Sequence, residues 1–162
     1  MTATDPALTA LANGWAALYL LAGRIEAHIE RTLQAQHDLS VREYSLLDVL
    51  SRQHDGEGGH LQMKQVADAV VLSQSATTRL VTRLEDRGLL SRYLCATDRR
   101  GIYTDVTGPG LELLEAARPT NESALREALD EAAKNPELAP LVATVEEMNT
   151  SRRLPEPAAA TR

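Results

Sequence analysis

Apolar residues recur at helical spacing through most of this chain, and polar residues break the rhythm at a few informative places. Thr77, Leu80, Val81 and Leu84 fall at i, i+3, i+4 and i+7, which predicts one buried face on a helix from Gln74 to about Arg87. Ser73 is placed to cap that helix and Gly88 to stop it. The opposite face carries Gln74, Ser75, Thr78, Arg79, Thr82 and Arg83. A shorter helix precedes it, Met63 to Val71, with Val66, Ala67 and Val70 predicted to face inward. Leu89 to Ala96 and Ile102 to Thr107 read as two strands, with Leu90 and Leu94 on one face and Ile102, Thr104 and Val106 sharing a face of the partner. Gly108-Pro109-Gly110 is expected to break the sheet.

Upstream, Asp5-Pro6 opens a long helix. Leu8, Leu11, Trp15, Leu18, Ala22, Ile25 and Ile29 recur along it at steps of three and four, and Tyr19, Leu20 and Leu21 widen the stripe. A plain core helix could carry such a stripe. A helix this apolar on more than one side is better explained by dimerisation. Leu39 and the capping box Ser40–Glu43 start a helix through Tyr44, Leu47 and Leu50. Downstream, Leu111, Leu114 and Ala117 begin a helix that Pro119 is expected to kink before it resumes through Leu125 and Leu129. Asn135-Pro136 ends it, and Leu138 to Met148 makes a last short helix.

The predicted fold is mainly α with a small β-hairpin wing, a winged helix-turn-helix flanked by N- and C-terminal dimerisation helices. Residues 5–36 and 110–150 form the helical dimerisation region, 37–108 the DNA-binding domain, and 151–162 a flexible tail. In such a layout the second helix of the pair enters a DNA major groove and the hairpin tip reaches a neighbouring minor groove. The tip here is Asp98-Arg99-Arg100-Gly101. An ordinary amphipathic helix would also show a solvated polar face, so the hairpin behind it carries much of the weight.

The net charge of −6 argues against a DNA binder until its distribution is read. Between His60 and Thr104 seven basic residues meet four acidic ones, giving +3 against −9 for the remainder. A basic face on an acidic body attracts phosphate locally and helps set orientation. The apolar run Trp15 to Gly23 is too short for a bilayer. MTATDPAL does not read as a signal peptide, and the single Cys95 fits a reducing compartment. The expected location is therefore cytoplasmic.

Other chemistry finds little footing. The glycine-rich HDGEGGH loop lacks the Lys-Ser/Thr of a phosphate loop. His28, His37, His54 and His60 fall at no ligand spacing, and one cysteine cannot complete a zinc site. No Ser-His-Asp or paired-carboxylate arrangement is readable, so neither an enzyme nor a cofactor is expected. Trp15, Tyr19, Arg24, His28 and Tyr44 could line a pocket for a phenolic or carboxylate ligand, although each also suits simple packing.

The segments LSQSATTRLVTRLEDRGLL (Leu72 to Leu90), TDRRGIYTDVT (Thr97 to Thr107) and the GPGLELLEAARP that follows resemble the MarR family of bacterial regulators. The likeness runs from about Leu8 to Met148. It implies a homodimer held by its first and last helices on a pseudo-palindromic operator, repressing until a small ligand or cysteine oxidation releases it. By position it implies that Gln74, Ser75, Thr78 and Arg79 touch the major groove, with Lys64, Thr82 and Arg83 on the DNA backbone. Arg99 or Arg100 would enter the minor groove while Asp98 braces the wing. Peroxide-sensing members carry a reactive cysteine near the start of the first helix. This chain has none there, and Cys95 on a wing strand reads as structural. The expected function is thus a ligand-released DNA-binding repressor whose partners are duplex DNA, a second copy and a small effector, with no membrane. The alternatives are a winged-helix protein-interaction module and a redox sensor acting through Cys95.

Overall fold

The computed structural model describes residues 6–54, 60–94 and 102–148. Its elements run α1 (Pro6–His37), α2 (Val41–Ser51), α3 (Met63–Val70), α4 (Gln74–Asp86), β1 (Leu90–Leu94), β2 (Ile102–Val106), α5 (Gly108–Ala132) and α6 (Ala139–Glu147), with a 3-10 turn at Arg52–His54. The mainly α fold with a small hairpin is therefore the one that forms. The described residues divide into two compact units, a helical one (6–36 and 119–148) and a winged one (37–118).

In the winged unit the local signals act as their chemistry requires. Ser40 Oγ accepts from Glu43 N at 3.0 Å while Ser40 N donates to Glu43 Oε2 at 2.9 Å, closing the capping box of α2. Val66, Ala67 and Val70 are buried on α3, and Thr77, Leu80, Val81 and Leu84 on α4. Ser73 Oγ caps α4 by accepting from Ala76 N at 3.2 Å. Gly88, at φ 74°, takes the left-handed turn that lets Leu89 N reach back to Leu84 O at 2.9 Å. The strands pair antiparallel with Leu90 opposite Val106, Arg92 opposite Thr104 and Leu94 opposite Ile102.

Gly108-Pro109-Gly110 does more than break the sheet. Gly108 is the first residue of α5, and Thr107 Oγ1 accepts from Gly110 N at 3.2 Å, satisfying a free donor of the first turn. A Cβ on Gly110 would lie 2.2 Å from Leu89 O and 2.7 Å from Val106 Cγ1. Glycine here permits the helix start to press on the hairpin. The helix then continues through Pro119 as one element to Ala132. Pro119 is exposed, and the one hydrogen bond it removes does not outweigh the packing of Leu114, Ala117, Ala124 and Leu129 on either side.

The helical unit shows which apolar row of the first helix turns inward. Its core joins Ala17 and Leu21 to Leu129, Ala132, Leu138 and Val142, with Ile25, Leu125 and Leu141 half-buried beside them. The predicted stripe shares this face only at its C-terminal end. Leu8, Leu11, Trp15 and Leu18 are 62%, 71%, 65% and 45% exposed, and Ala22 is exposed as well. The inward row is Ala17, Leu21 and Ile25, with Ile29 buried further along; it runs one residue off the predicted line at Ala17 and Leu21 and coincides with it at Ile25 and Ile29. Asp5, predicted to cap α1, lies outside the described residues. After α5, Asn135 Oδ1 accepts from Glu137 N at 2.9 Å and turns the chain into α6.

Two non-glycine residues take left-handed backbone, Asp38 at φ 52° and Val71, and only valine is of a type that resists it. Val71, between α3 and α4, sits at φ 56°, ψ 49° with its side chain 81% exposed. A β-branched residue there has no packing in return. Left-handed geometry costs an L-residue roughly 1–2 kcal/mol, and glycine's extra chain entropy takes back roughly 0.5–1 kcal/mol. Val71→Gly is therefore expected to raise stability by about 0.5–1 kcal/mol in urea titrations. A lowered midpoint would contradict the strain.

Candidate nucleic-acid interface

The polar face of α4 is presented as a recognition helix requires. The buried row Thr77, Leu80, Val81 and Leu84 fixes the helix on the winged unit, and Gln74, Ser75, Thr78, Arg79, Thr82 and Arg83 are all exposed. Thr78 Oγ1 donates to Gln74 O at 2.9 Å and Thr82 Oγ1 to Thr78 O at 3.0 Å. Both hydroxyls thus point their hydrogens into the helix and keep lone pairs outward, as acceptors. The Thr82 oxygen also accepts from Arg92 Nη2.

The charges on this face are less free than their count implies. Glu43 is only 3% exposed, and its carboxylate lies 3.5 Å from Arg83 Nε and 3.4 Å from Arg87 Nη1. Arg87 also lies 3.7 Å from Asp38 Oδ2. Arg92 Nε lies 2.9 Å from Glu85 Oε2. Lys64 and Arg79 have neither an ion pair nor a side-chain hydrogen bond among the described residues. Of the three residues assigned by sequence to the DNA backbone, Lys64 is thus an available cation, Thr82 an engaged hydroxyl, and Arg83 a guanidinium shared with Glu43.

A second buried carboxylate holds the unit from behind. Asp48, 4% exposed, accepts from Arg118 Nη1 at 2.8 Å and pairs with Arg52 Nη2 at 2.8 Å. Burial pulls the Arg118 pKa down, but hydrogen bonds to Glu115 and Asp48 more than offset it, leaving it above the ordinary arginine value. Gln53 fastens the hairpin. Its Nε2 donates to Thr104 O at 2.7 Å and to Asp105 Oδ1 at 3.0 Å, and its Oε1 accepts from Leu61 N at 3.2 Å. No local pattern marks Gln53 for this role. Asp48 did leave one: it interrupts the apolar run Leu46-Leu47-Asp48-Val49-Leu50, and a charge at an interior position needs a partner.

The wing-tip residues Asp98, Arg99 and Arg100, with Cys95 before them, lie outside the described residues. The proposed pocket residues do not all gather. Arg24 and His28 line a cleft of about 560 Å³ between α1 and α5, with Ala27, Arg31, Glu127, Ala128, Glu131 and Ala132. His28 lies across it, Nε2 2.9 Å from Glu127 Oε2 and Nδ1 3.4 Å from Arg31 Nη2. Trp15 and Tyr19 pack on each other with ring centroids 6.2 Å apart and are absent from that lining. Tyr44 belongs to α2 in the winged unit. Among the described residues no cluster of three or more His, Cys, Asp or Glu could hold a metal ion. Nor is any helix there long and apolar enough to cross a membrane.

Comparison with known proteins places this geometry. Residues 37–101 match the profile of the MarR family. Over 103 residues the chain is 27% identical to the HTH-type transcriptional regulator MhqR of Bacillus subtilis, covering 64% of this chain and 67% of MhqR. Over 94 residues it is 30% identical to the HTH-type transcriptional regulator PecS of Dickeya dadantii, covering 56% of this chain and 55% of PecS. Among solved structures it resembles Sco3205, a MarR family transcriptional regulator from Streptomyces coelicolor in complex with DNA. That likeness has a TM-score of 0.63 and 26% identity over 88% of this chain and 92% of the other. With a buried-backed polar helix and a hairpin behind it, the segment 37–101 matches the MarR family, and the chain is similar to winged helix-turn-helix transcriptional regulators of that family.

Proposed function

We propose that the chain is a transcriptional repressor that binds a pseudo-palindromic operator as a homodimer. The observation that carries this reading is α4: four buried residues on one face, and an exposed face of hydroxyls, an amide and the unpaired Arg79 on the other. Gln74, Ser75, Thr78 and Arg79, at the N-terminal half of that helix, read base edges. Lys64 takes a phosphate. Arg99 or Arg100, which lie between β1 and β2 in the sequence, supplies the minor-groove contact, with Asp98 pairing with an arginine. The fact that Sco3205 is a MarR regulator solved with DNA supports the docking mode.

The exposed apolar row of α1 supports the dimer. Leu8, Leu11, Trp15, Leu18 and Tyr19, with Val145 and Met148 of α6, leave large apolar surface in water, more than scattered surface residues explain. A second copy covering it would set the two α4 helices roughly 34–36 Å apart, one DNA turn. The cleft supports a regulatory ligand. Arg24 lines it beside Glu127 and Glu131, and a planar organic acid could seat its carboxylate on that guanidinium.

Three measurements test these points. In binding titrations, Arg79→Ala is expected to cost about 1–3 kcal/mol on the operator and less on random duplex, relaxing choice at one position per half-site. Equal loss on both would make Arg79 a phosphate contact. Sedimentation of the wild type is expected to give twice 17.6 kDa, and Leu11→Glu with Trp15→Glu to give the monomer; a folded wild-type monomer at micromolar concentration would refute the dimer. Aryl carboxylates are expected to release the operator tenfold, a coupling of about 1.4 kcal/mol, from wild type and not from Arg24→Ala. Identical responses would remove Arg24 from the effector site.

A further inference from the structure

We infer that Glu43 decides which arginines of α4 meet DNA, acting as a specificity-determining residue that withholds Arg83 and Arg87 from phosphate. The inference rests on the DNA-binding reading of α4. Its basis is a single carboxylate with three demands on it. Oε2 accepts from Ser40 N at 2.9 Å, which fixes the side chain in the capping box of α2. Oε2 is also 3.4 Å from Arg87 Nη1, and Oε1 is 3.5 Å from Arg83 Nε. The group is almost fully buried, so it cannot turn to water when DNA arrives, and leaving it without a cation would cost far more than a surface pair is worth. The arginines are therefore held in place by the carboxylate's need. Arg87 has a second anion in Asp38 at 3.7 Å.

The consequence falls on the kind of binding. Phosphate contacts add affinity for every sequence and make it depend on salt. Base contacts add discrimination. By neutralising the C-terminal half of α4, Glu43 leaves Arg79, near the end that carries Gln74 and Ser75, as the cation on this helix with no ion pair among the described residues. Attraction is concentrated where bases are read, and sequence-independent binding is kept low.

The test is the salt dependence of binding to random duplex and operator between 50 and 200 mM, with Glu43→Gln beside the wild type. The amide keeps an acceptor for Ser40 N and removes the charge. Each released arginine that finds a phosphate steepens the log–log slope by about 0.9, or about 3.5-fold in affinity over that fourfold salt range. The variant is expected to bind random duplex at least threefold more tightly at 50 mM, with a slope steeper by about 0.9–1.8. Its preference for operator should narrow. Adding Arg83→Ala should remove more slope in the Glu43→Gln background than in the wild type. A natively folded variant with an unchanged or shallower slope would overturn the inference, as would equal effects of Arg83→Ala in both backgrounds. Should the amide variant fail to fold, Arg83→Ala alone decides: it is expected to lower the slope by less than half of about 0.9, and a full drop overturns the role of Glu43. Wild-type protein that binds no duplex at 50 mM would defeat the DNA-binding reading itself, whereas binding with a slope indifferent to residue 43 defeats only this one.

Discussion

A buried carboxylate must find a positive partner, and α2 carries two of them. Glu43 and Asp48 are each less than 5% exposed on a helix whose other buried residues are Leu46, Leu47, Val49 and Leu50. Removing such a charge from water is costly unless cations and donors surround it. The winged unit meets that demand by drawing in arginines from elsewhere: Arg83 and Arg87 from α4 to the first, Arg118 from α5 and Arg52 to the second. The recognition helix and the start of α5 are therefore tied to one helix by charge as well as by apolar packing. Such pairs add little net stability against an apolar alternative, but they penalise any packing that leaves a carboxylate alone.

This changes what the basic stretch between His60 and Thr104 means. A count of charges makes it an attractive patch, yet Arg83, Arg87 and Arg92 each face a carboxylate within 4 Å. What α4 offers a ligand is mostly neutral: an amide, a serine hydroxyl and threonine oxygens whose hydrogens are already committed to the helix backbone. Groups of that kind discriminate by geometry rather than by attraction at a distance. On a body of net charge −6, that arrangement favours a protein that leaves wrong sequences readily.

How much of this was legible in the sequence follows from the range of each interaction. The face of α4, the capping box at Ser40 and the stop at Gly88 rest on residues within a few positions of one another, and each is where the pattern put it. Gln53 reaches Thr104 across 51 positions and Asp48 reaches Arg118 across 70. No local period encodes such a pairing, although the charge inside an apolar run did flag Asp48. The left-handed Val71 was hidden for a different reason. Its residue type argues against the conformation, and only the need to turn α3 into α4 within three residues imposes it. Gly110 looked like a breaker because glycine beside proline usually is one. Its true constraint is the 2.2 Å that a Cβ would leave to Leu89 O.

The first helix shows a limit of another kind. Its apolar residues occupy more of the circumference than one core can use, so period alone cannot say which row turns inward. The row Ala17, Leu21, Ile25 wins because α5 and α6 supply matching small and branched residues, Ala132, Leu129 and Val142. Alanines on both sides let the helices approach closely, whereas Trp15 and Tyr19 would hold them apart. The larger residues are thus displaced outward by the fit of the smaller ones. A sequence that spends tryptophan, tyrosine and three leucines on an outward row is keeping apolar area in water for some purpose other than the fold of one chain. Burial of that row by a second copy, as proposed above, would supply the missing contacts, and the same surplus is what made the period ambiguous.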